Sequence, residues 1–367
     1  MRIALVGPTY PYGGGVAQHT TALAHELAAR GHSVVIESWS RQYPELLYPG
    51  RQRVVEPDLP IFADTRYDLA WNRPDSWWRV GRRLGDDADI VVPVLVTPWQ
   101  APAIATLVRA VHRRTPVVVV CHNVAPHERR VTDSVLTRLA LARADGVLVH
   151  GDEERGRASL LTSATIRSAP LPLHLPGGIE GQGDRGPRAT ATQRRLLFFG
   201  LVRPYKGVDV LLRALAVGPS DVNLVVAGEF WGGVDATAAL VDELGLGDRV
   251  ELRPGYVDAS DIAALFAEAD ALVLPYRHAT ATQNVALAHH HGLPVVATRA
   301  GTLPVEVQDG VDGLLCEPDD VKGLAAALDN LYRPGVLDRL RAGITTPDAG
   351  RRWDVYVDRL LGLASLP

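Results

Sequence analysis

The sequence predicts an α/β protein of two doubly wound domains, each a parallel sheet covered by helices on both faces. Three observations carry this reading. The chain has 367 residues, more than one hydrophobic core usually serves. Short continuous apolar runs alternate with segments of helical period along most of its length. The alternation fails once, over residues 176–195, where Pro176-Gly177-Gly178 opens a glycine-rich polar stretch running past Gly186. That composition is a linker's.

The elements follow in order. Residues 3–6 read as the first strand and 16–30 as an Ala/Leu-rich helix. Residues 33–36, 90–96, 116–121 and 146–149 continue the strands. Runs that are apolar throughout, set between helices, belong to a parallel sheet buried on both faces. After the break, strands are predicted at 196–199, 222–227, 250–252, 271–274 and 294–297. Helices are predicted at 208–216, 236–244, 261–267, 284–291 and 321–331. The expected domains are therefore 1–175 and 196–348, joined by the linker 176–195. The closing segment 349–367 is amphipathic through Trp353, Val355, Tyr356, Leu360 and Leu361. It can close the second domain or, as expected here, pack back on the first. Ligands of such sheets bind beyond the carboxyl ends of the strands, so a cleft between the domains is the expected site.

Composition narrows the function. A net charge of −4 creates no field that would draw the chain to nucleic acid. Cys121 and Cys316 lie far apart, with neither metal-ligand nor disulfide-framework spacing, so a reducing cytoplasm is expected. The opening Met1-Arg2-Ile3-Ala4-Leu5-Val6 is too short an apolar run for a signal peptide. The other apolar runs fall well below the roughly 20 residues of a membrane helix.

Among 38 basic side chains only two are lysines, Lys206 and Lys322. Arginine is thus a weak marker, and Lys206 stands out. It lies three residues after Arg203, just past the predicted strand 196–199 and opening a helix. Two cations there, on one helical turn, suit a phosphate or diphosphate; a solvated loop is the plain alternative. Gly13, Gly14 and Gly15 follow the first strand, where backbone N–H groups can approach a ligand at a helix start. The pattern is not the dinucleotide fingerprint, which disfavours a nicotinamide enzyme. His122 ends the run Val117–Cys121 and can donate to a sugar hydroxyl or share charge with a reacting group, although strand-end histidines are often structural. Thr280, Thr282 and Asn284 precede a predicted helix and are capping types.

Taken in order, these segments resemble the retaining glycosyltransferases of the GT-B fold, family four, whose domains are two Rossmann-like doubly wound units facing across a cleft. The matching pieces are Gly13–Gly15, His122-Asn123, Gly200 with Arg203-Pro204-Tyr205-Lys206-Gly207, Val226-Ala227-Gly228-Glu229 and Gly255-Tyr256-Val257. They continue through 269–276, Gly292-Leu293-Pro294 and 309–315. The resemblance implies a nucleoside diphosphate sugar held mainly by the second domain and a hydroxyl acceptor on the first. It implies Arg203 and Lys206 as the diphosphate clamp and His122 beside the donor sugar. Gly14, Gly15, Glu229, Tyr256, Val257, Thr282, Gln283 and Asn284 are the implied donor contacts. Attack on the face from which the diphosphate leaves requires no protein nucleophile, and two cations stabilise the leaving group without a metal or other cofactor. Asp87-Ala88-Asp89 reads as solvated rather than metal-binding.

One departure is informative. The family's two glutamates, eight apart, would fall at Ala279 and Leu287. In the family the first contacts sugar hydroxyls and the second the ribose. Their loss points to a deoxysugar or other atypical donor, gripped through Gln283, Asn284 or backbone. Glu306 comes one residue later than the family pattern places it. His289, His290 and His291 are consecutive on a helix and point apart, which is poor geometry for a metal. Trp39, Trp71, Trp77, Trp78 and Trp99 crowd the first domain, as core or as sugar-facing rings. Arg73, Trp77, Trp78, Arg79, Arg82 and Arg83 could graze a membrane surface, or form a solvated basic face. Two other functions fit the same segments: a nucleotide-sugar epimerase of GT-B-like fold, and a non-catalytic sugar-nucleotide binder.

Overall fold

The computed structural model describes residues 1–42, 53–54, 57, 59–124, 132–174, 194–346 and 348–364. The expected linker lies outside these residues, except for 194 and 195, which begin a strand. The chain divides into two compact units, residues 1–174 with 349–367, and residues 175–348.

The first unit holds seven parallel strands: β1 (Arg2–Val6), β2 (Ser33–Arg41), β3 (Thr65–Ala70), β4 (Ile90–Leu95), β5 (Val118–Cys121), β6 (Gly146–Val149) and β7 (Thr165–Ser168). Their spatial order is β3-β2-β1-β4-β5-β6-β7. Successive side chains point to opposite faces, and the core divides accordingly. Ala4, Val6, Val91, Leu95, Val119 and Cys121 face one layer of helices. Ile3, Leu5, Ile90, Val92, Val118 and Val120 face the other. That second face is covered by the helix Gly15–Ala29 and by the last helix, Ala349–Ala364. Trp353, Tyr356, Val357, Leu360 and Leu363 of the latter are all buried in it. A Cβ added at Gly146 would lie 2.8 Å from Leu363 Cβ, so the strand needs glycine for this helix to seat.

The second unit holds six parallel strands: β8 (Arg194–Phe199), β9 (Val222–Gly228), β10 (Val250–Pro254), β11 (Ala271–Leu274), β12 (Val295–Thr298) and β13 (Gly313–Cys316). Their order is β10-β9-β8-β11-β12-β13. In each sheet the order reverses at one place, between β1 and β4 and between β8 and β11. Loops leaving the carboxyl ends of two such strands splay apart and open a crevice.

The sequence pattern misses three strands, β3, β7 and β13. β3 and β7 are sheet edges, and the half-buried and exposed positions of Thr65-Arg66-Tyr67-Asp68 alternate, so no continuous apolar run marks them. β13 is four residues long and begins with glycine. The helices Pro74–Asp87, Ala101–Ala110, Asp133–Leu141, Asp152–Ser159 and Val336–Gly343 were also not legible. Asp89 is not simply solvated: its carboxylate takes the Arg2 backbone N–H and guanidinium, each at 2.8 Å, tying the start of β1.

Candidate functional site

Arg203 and Lys206 lie in the loop after β8. They do not open a helix directly. A one-turn 3-10 helix, Pro204–Lys206, is followed by Gly207 in the left-handed region at φ 68°, and only then by the helix Val208–Val217. A Cβ on Gly207 would sit 2.0 Å from the Pro275 carbonyl oxygen. The loop after β8 is thus pressed against the loop after β11, beside the strand reversal.

Each cation rests on an aromatic ring. The Arg203 guanidinium carbon is 3.8 Å from the Trp231 ring centre. Lys206 Nζ is 3.7 Å from the centre of Tyr276. Among the described residues neither cation has a carboxylate in ion-pair range, and Arg203 Nε is buried without a hydrogen-bond partner. Burial pushes the Lys206 ammonium below its ordinary pKa.

Tyr276 is fully buried, and burial raises its phenol. Asn284 Nδ2 donates to its hydroxyl at 3.2 Å and to the Phe199 carbonyl at 2.9 Å. Thr282 Oγ1 accepts from the Asn284 N–H at 3.2 Å. Thr282 and Asn284 therefore brace the Tyr276 ring, while Gln283 sits half-buried between them. Leu287 is buried in the helix Asn284–His290, and Ala279 presses its carbonyl towards Gly301. Glu306 accepts from Thr302 Oγ1 at 2.7 Å.

The loops after β9 and β10 sit at the same end of the sheet. The Val202 N–H donates to the Glu229 carbonyl at 2.8 Å and the Gly255 N–H to the Gly228 carbonyl at 3.0 Å. The Glu229 carboxyl is half-buried and raised by desolvation. Tyr256 is exposed and Val257 partly so.

In the first unit, Gly14 and Gly15 are exposed at the start of the helix Gly15–Ala29, with Gly14 at φ 98° and open space where a Cβ would stand. His122 follows β5 and is buried; its Nδ1 lies 3.1 Å from His150 Nε2. His19 is 5.1 Å from His122, ring centre to ring centre. Its Nε2 meets Tyr356 Oη at 3.0 Å, and its ring stacks on Trp353. Among the described residues, His122 Nε2 and His19 Nδ1 are buried without hydrogen-bond partners. Desolvation, reinforced by the neighbouring imidazoles, holds His122 and His19 well below the ordinary value. Desolvation lowers His150 to about 4. These rings are neutral at physiological pH.

Of the basic and aromatic run on the helix Pro74–Asp87, only part faces outward. Arg83 turns to Glu37 and Asp68 at 2.7 and 2.8 Å, and the Trp77 indole donates to the Ala70 carbonyl at 2.8 Å. Arg73 and Arg79 share Asp75 at the surface, and Arg73, Trp78, Arg79 and Arg82 are all exposed. Trp39 is core and Trp99 exposed. Both thiols are buried and raised, Cys316 to about 11, so neither is a ready nucleophile. Sequence reasoning missed Trp231, Arg277, His19 and His150 as parts of these clusters. A tryptophan inside Gly228-Glu229-Phe230-Trp231-Gly232-Gly233 was the one available signal.

Two doubly wound parallel sheets, with cations beside the reversal of the second, define a GT-B-type protein. Solved structures share this fold over nearly the whole chain. HepE of Anabaena with UDP-glucose matches at TM-score 0.74 and 18% identity, covering 99% of this chain and 100% of that one. Sucrose-phosphate synthase of Thermosynechococcus elongatus matches at 0.68 and 19%, covering 99% and 96%. Residues 13–159 match Glycosyltransferase Family 4, and residues 193–333 match Glycosyl transferases group 1. The chain belongs to this glycosyltransferase family. It is 33% identical over 201 residues to the D-inositol 3-phosphate glycosyltransferase of Mycobacterium marinum, covering 52% of this chain and 42% of that protein. The Mycobacterium tuberculosis enzyme of the same name is 32% identical over 201 residues, covering 52% and 41%. The chain thus spans about two-fifths of the length of these relatives in the matched region. Among the described residues no helix is long and apolar enough to cross a membrane.

Proposed function

We propose that the protein transfers a sugar from a nucleoside diphosphate sugar to an acceptor hydroxyl, with retention of anomeric configuration and without a metal ion. The observation that carries this is the pair Arg203 and Lys206, each held on an aromatic ring beside the β8–β11 reversal, with no carboxylate in ion-pair range among the described residues. As the sugar–phosphate bond breaks, negative charge grows on the diphosphate. Fixed cations stabilise it more in the transition state than in the ground state, which is what accelerates the step. His122, neutral and with Nε2 unpartnered, suits a hydrogen bond to a sugar hydroxyl rather than a charge. Gly14, Gly15, Glu229, Tyr256, Val257 and the 282–284 turn are the remaining donor contacts in this reading.

The UDP-glucose complex of HepE makes a UDP-sugar the first donor to test. The inositol phosphate named for the mycobacterial relatives is the first acceptor. Ala279 and Leu287, where the family carries acids, favour a donor with fewer hydroxyls to grip. The test is a thermal-shift screen of UDP-, GDP- and dTDP-sugars, followed by NMR of the product anomer. A specific donor raises the apparent melting temperature by mass action. An inverted product would overturn the retaining mechanism, undiminished turnover in chelator supports metal independence, and isomerisation of donor without acceptor would favour an epimerase. Preference for UDP-glucose over every deoxysugar would remove the deoxysugar reading.

A further inference from the structure

Three cations cluster where β8 and β11 end, and they are treated in opposite ways. Arg277 is neutralised. Its guanidinium takes Asp209 at 2.7 and 2.8 Å and Asp319 at 2.6 Å, and also donates to the Pro204 carbonyl. Its backbone N–H donates to the Tyr205 carbonyl at 2.8 Å. Arg277 is thus a brace for the loop that carries the other two. Arg203 and Lys206 meet rings instead.

The rings are themselves fixed. The Trp231 backbone N–H donates to the Val202 carbonyl at 3.0 Å, tying the loop that carries this ring to the Arg203 loop, and Gly232 and Gly233 follow at φ 90° and 99°. Tyr276 is held at its hydroxyl by Asn284 and at its carbonyl by Thr298 Oγ1, 2.5 Å away. A carboxylate partner would orient a cation and also cancel much of its charge. A ring face attracts the cation through its quadrupole and leaves the net charge whole. It also holds one side of the cation dry, so the open side meets an anion in a lower dielectric, where the attraction is stronger.

We propose that Trp231 and Tyr276 are positioning residues that hold Arg203 and Lys206 by their ring faces, keeping both charges free for a diphosphate. The proposal rests on the reading of Arg203 and Lys206 as the diphosphate clamp.

The test is calorimetry with UDP, GDP, dTDP and ADP, taking the tightest binder and its parent nucleoside in parallel. The ratio of the two affinities isolates the diphosphate contribution from the fit of the base. Trp231→Leu and Tyr276→Leu are expected to lower that ratio about threefold to tenfold. Trp231→Phe and Tyr276→Phe, which retain a ring, should restore most of it. Melting temperatures accompany each variant. If Tyr276→Leu does not fold, the half-exposed Trp231 pair still decides the matter. Ratios unchanged in both Leu variants, with a large loss in Arg203→Ala and Lys206→Ala, would overturn the role of the rings alone. Unchanged ratios in the cation variants as well, or no binding by any of the four diphosphates, would overturn the clamp and this proposal together.

Discussion

The two units arrange polar groups beyond their strands by opposite rules. In the first, His19, His122 and His150 pack ring against ring and are held neutral. In the second, Arg203 and Lys206 lie against rings of another kind and keep their charge. Burial penalises the charged form in both places. An imidazole can meet that penalty by releasing its proton near neutrality, whereas a guanidinium cannot and an ammonium does so only in base. The same desolvation therefore makes a hydrogen-bonding pocket in one unit and an anion-binding loop in the other.

The comparison can be broken first at the cations. Arg203→Ala and Lys206→Ala should each reduce kcat/KM by about 2–4 kcal/mol of transition-state stabilisation, measured with the donor found by screening. Near-normal turnover in both would remove the anion-binding half of the contrast.

The next effect is in pH. The folded pKa values of the three histidines are depressed, so the unfolded chain binds more protons below about 6.5. Stability of the first unit is then fully present above that value. It is lost as pH falls from 6.5 towards about 4, the value to which burial brings His150. His150 alone accounts for on the order of 3 kcal/mol of this loss, read from urea unfolding across that window. A flat profile would mean the imidazoles are not held neutral. Lys206 acts at the other end. Its lowered pKa places the alkaline loss of diphosphate binding below pH 10.5, and Lys206→Arg should move that limb upward.

Gly207→Ala tests the loop that presents the cations. A side chain at φ 68°, facing the Pro275 carbonyl, should cost about 1–3 kcal/mol from backbone strain alone. Binding should weaken along with stability as the loop shifts. Gly14→Ala, in open space, carries only the strain. The smallest effect is Tyr356→Phe. It strips the partner from His19 Nε2 and should cost about 1 kcal/mol, visible as a small drop in urea midpoint.

Much of the fold was legible because buried parallel strands advertise themselves. Val117-Val118-Val119-Val120 and Val295-Val296-Ala297 can hardly be anything else between helices. Edge strands such as Thr65–Ala70 pack on one side only, so their apolar signal is halved. In the site, Arg203 and Lys206 stood out because lysine is so rare in this chain. Asn284 reads in the sequence as a capping type and a donor contact; the fold adds that its amide braces Tyr276 and the end of β8. Nothing in the spacing of residues 199, 276 and 284 announces that link. Arg83 looked like one more surface charge in a basic run, yet the fold turns it to Glu37, which is fully buried.

Periodicity and composition alone determined the alternating α/β order, the two sheets and the loop that carries the rare lysine, since these depend on neighbours within one strand or helical turn. Tertiary structure alone decided what each polar group meets: Trp231 under Arg203, Tyr276 under Lys206, and His19 between His122 and the helix Ala349–Ala364. These partners lie from 28 to 337 residues apart in the chain, the longest being His19 and Tyr356. Such contacts arise only when strands distant in sequence become neighbours in a sheet, and with them the desolvation that separates a neutral imidazole from a free cation.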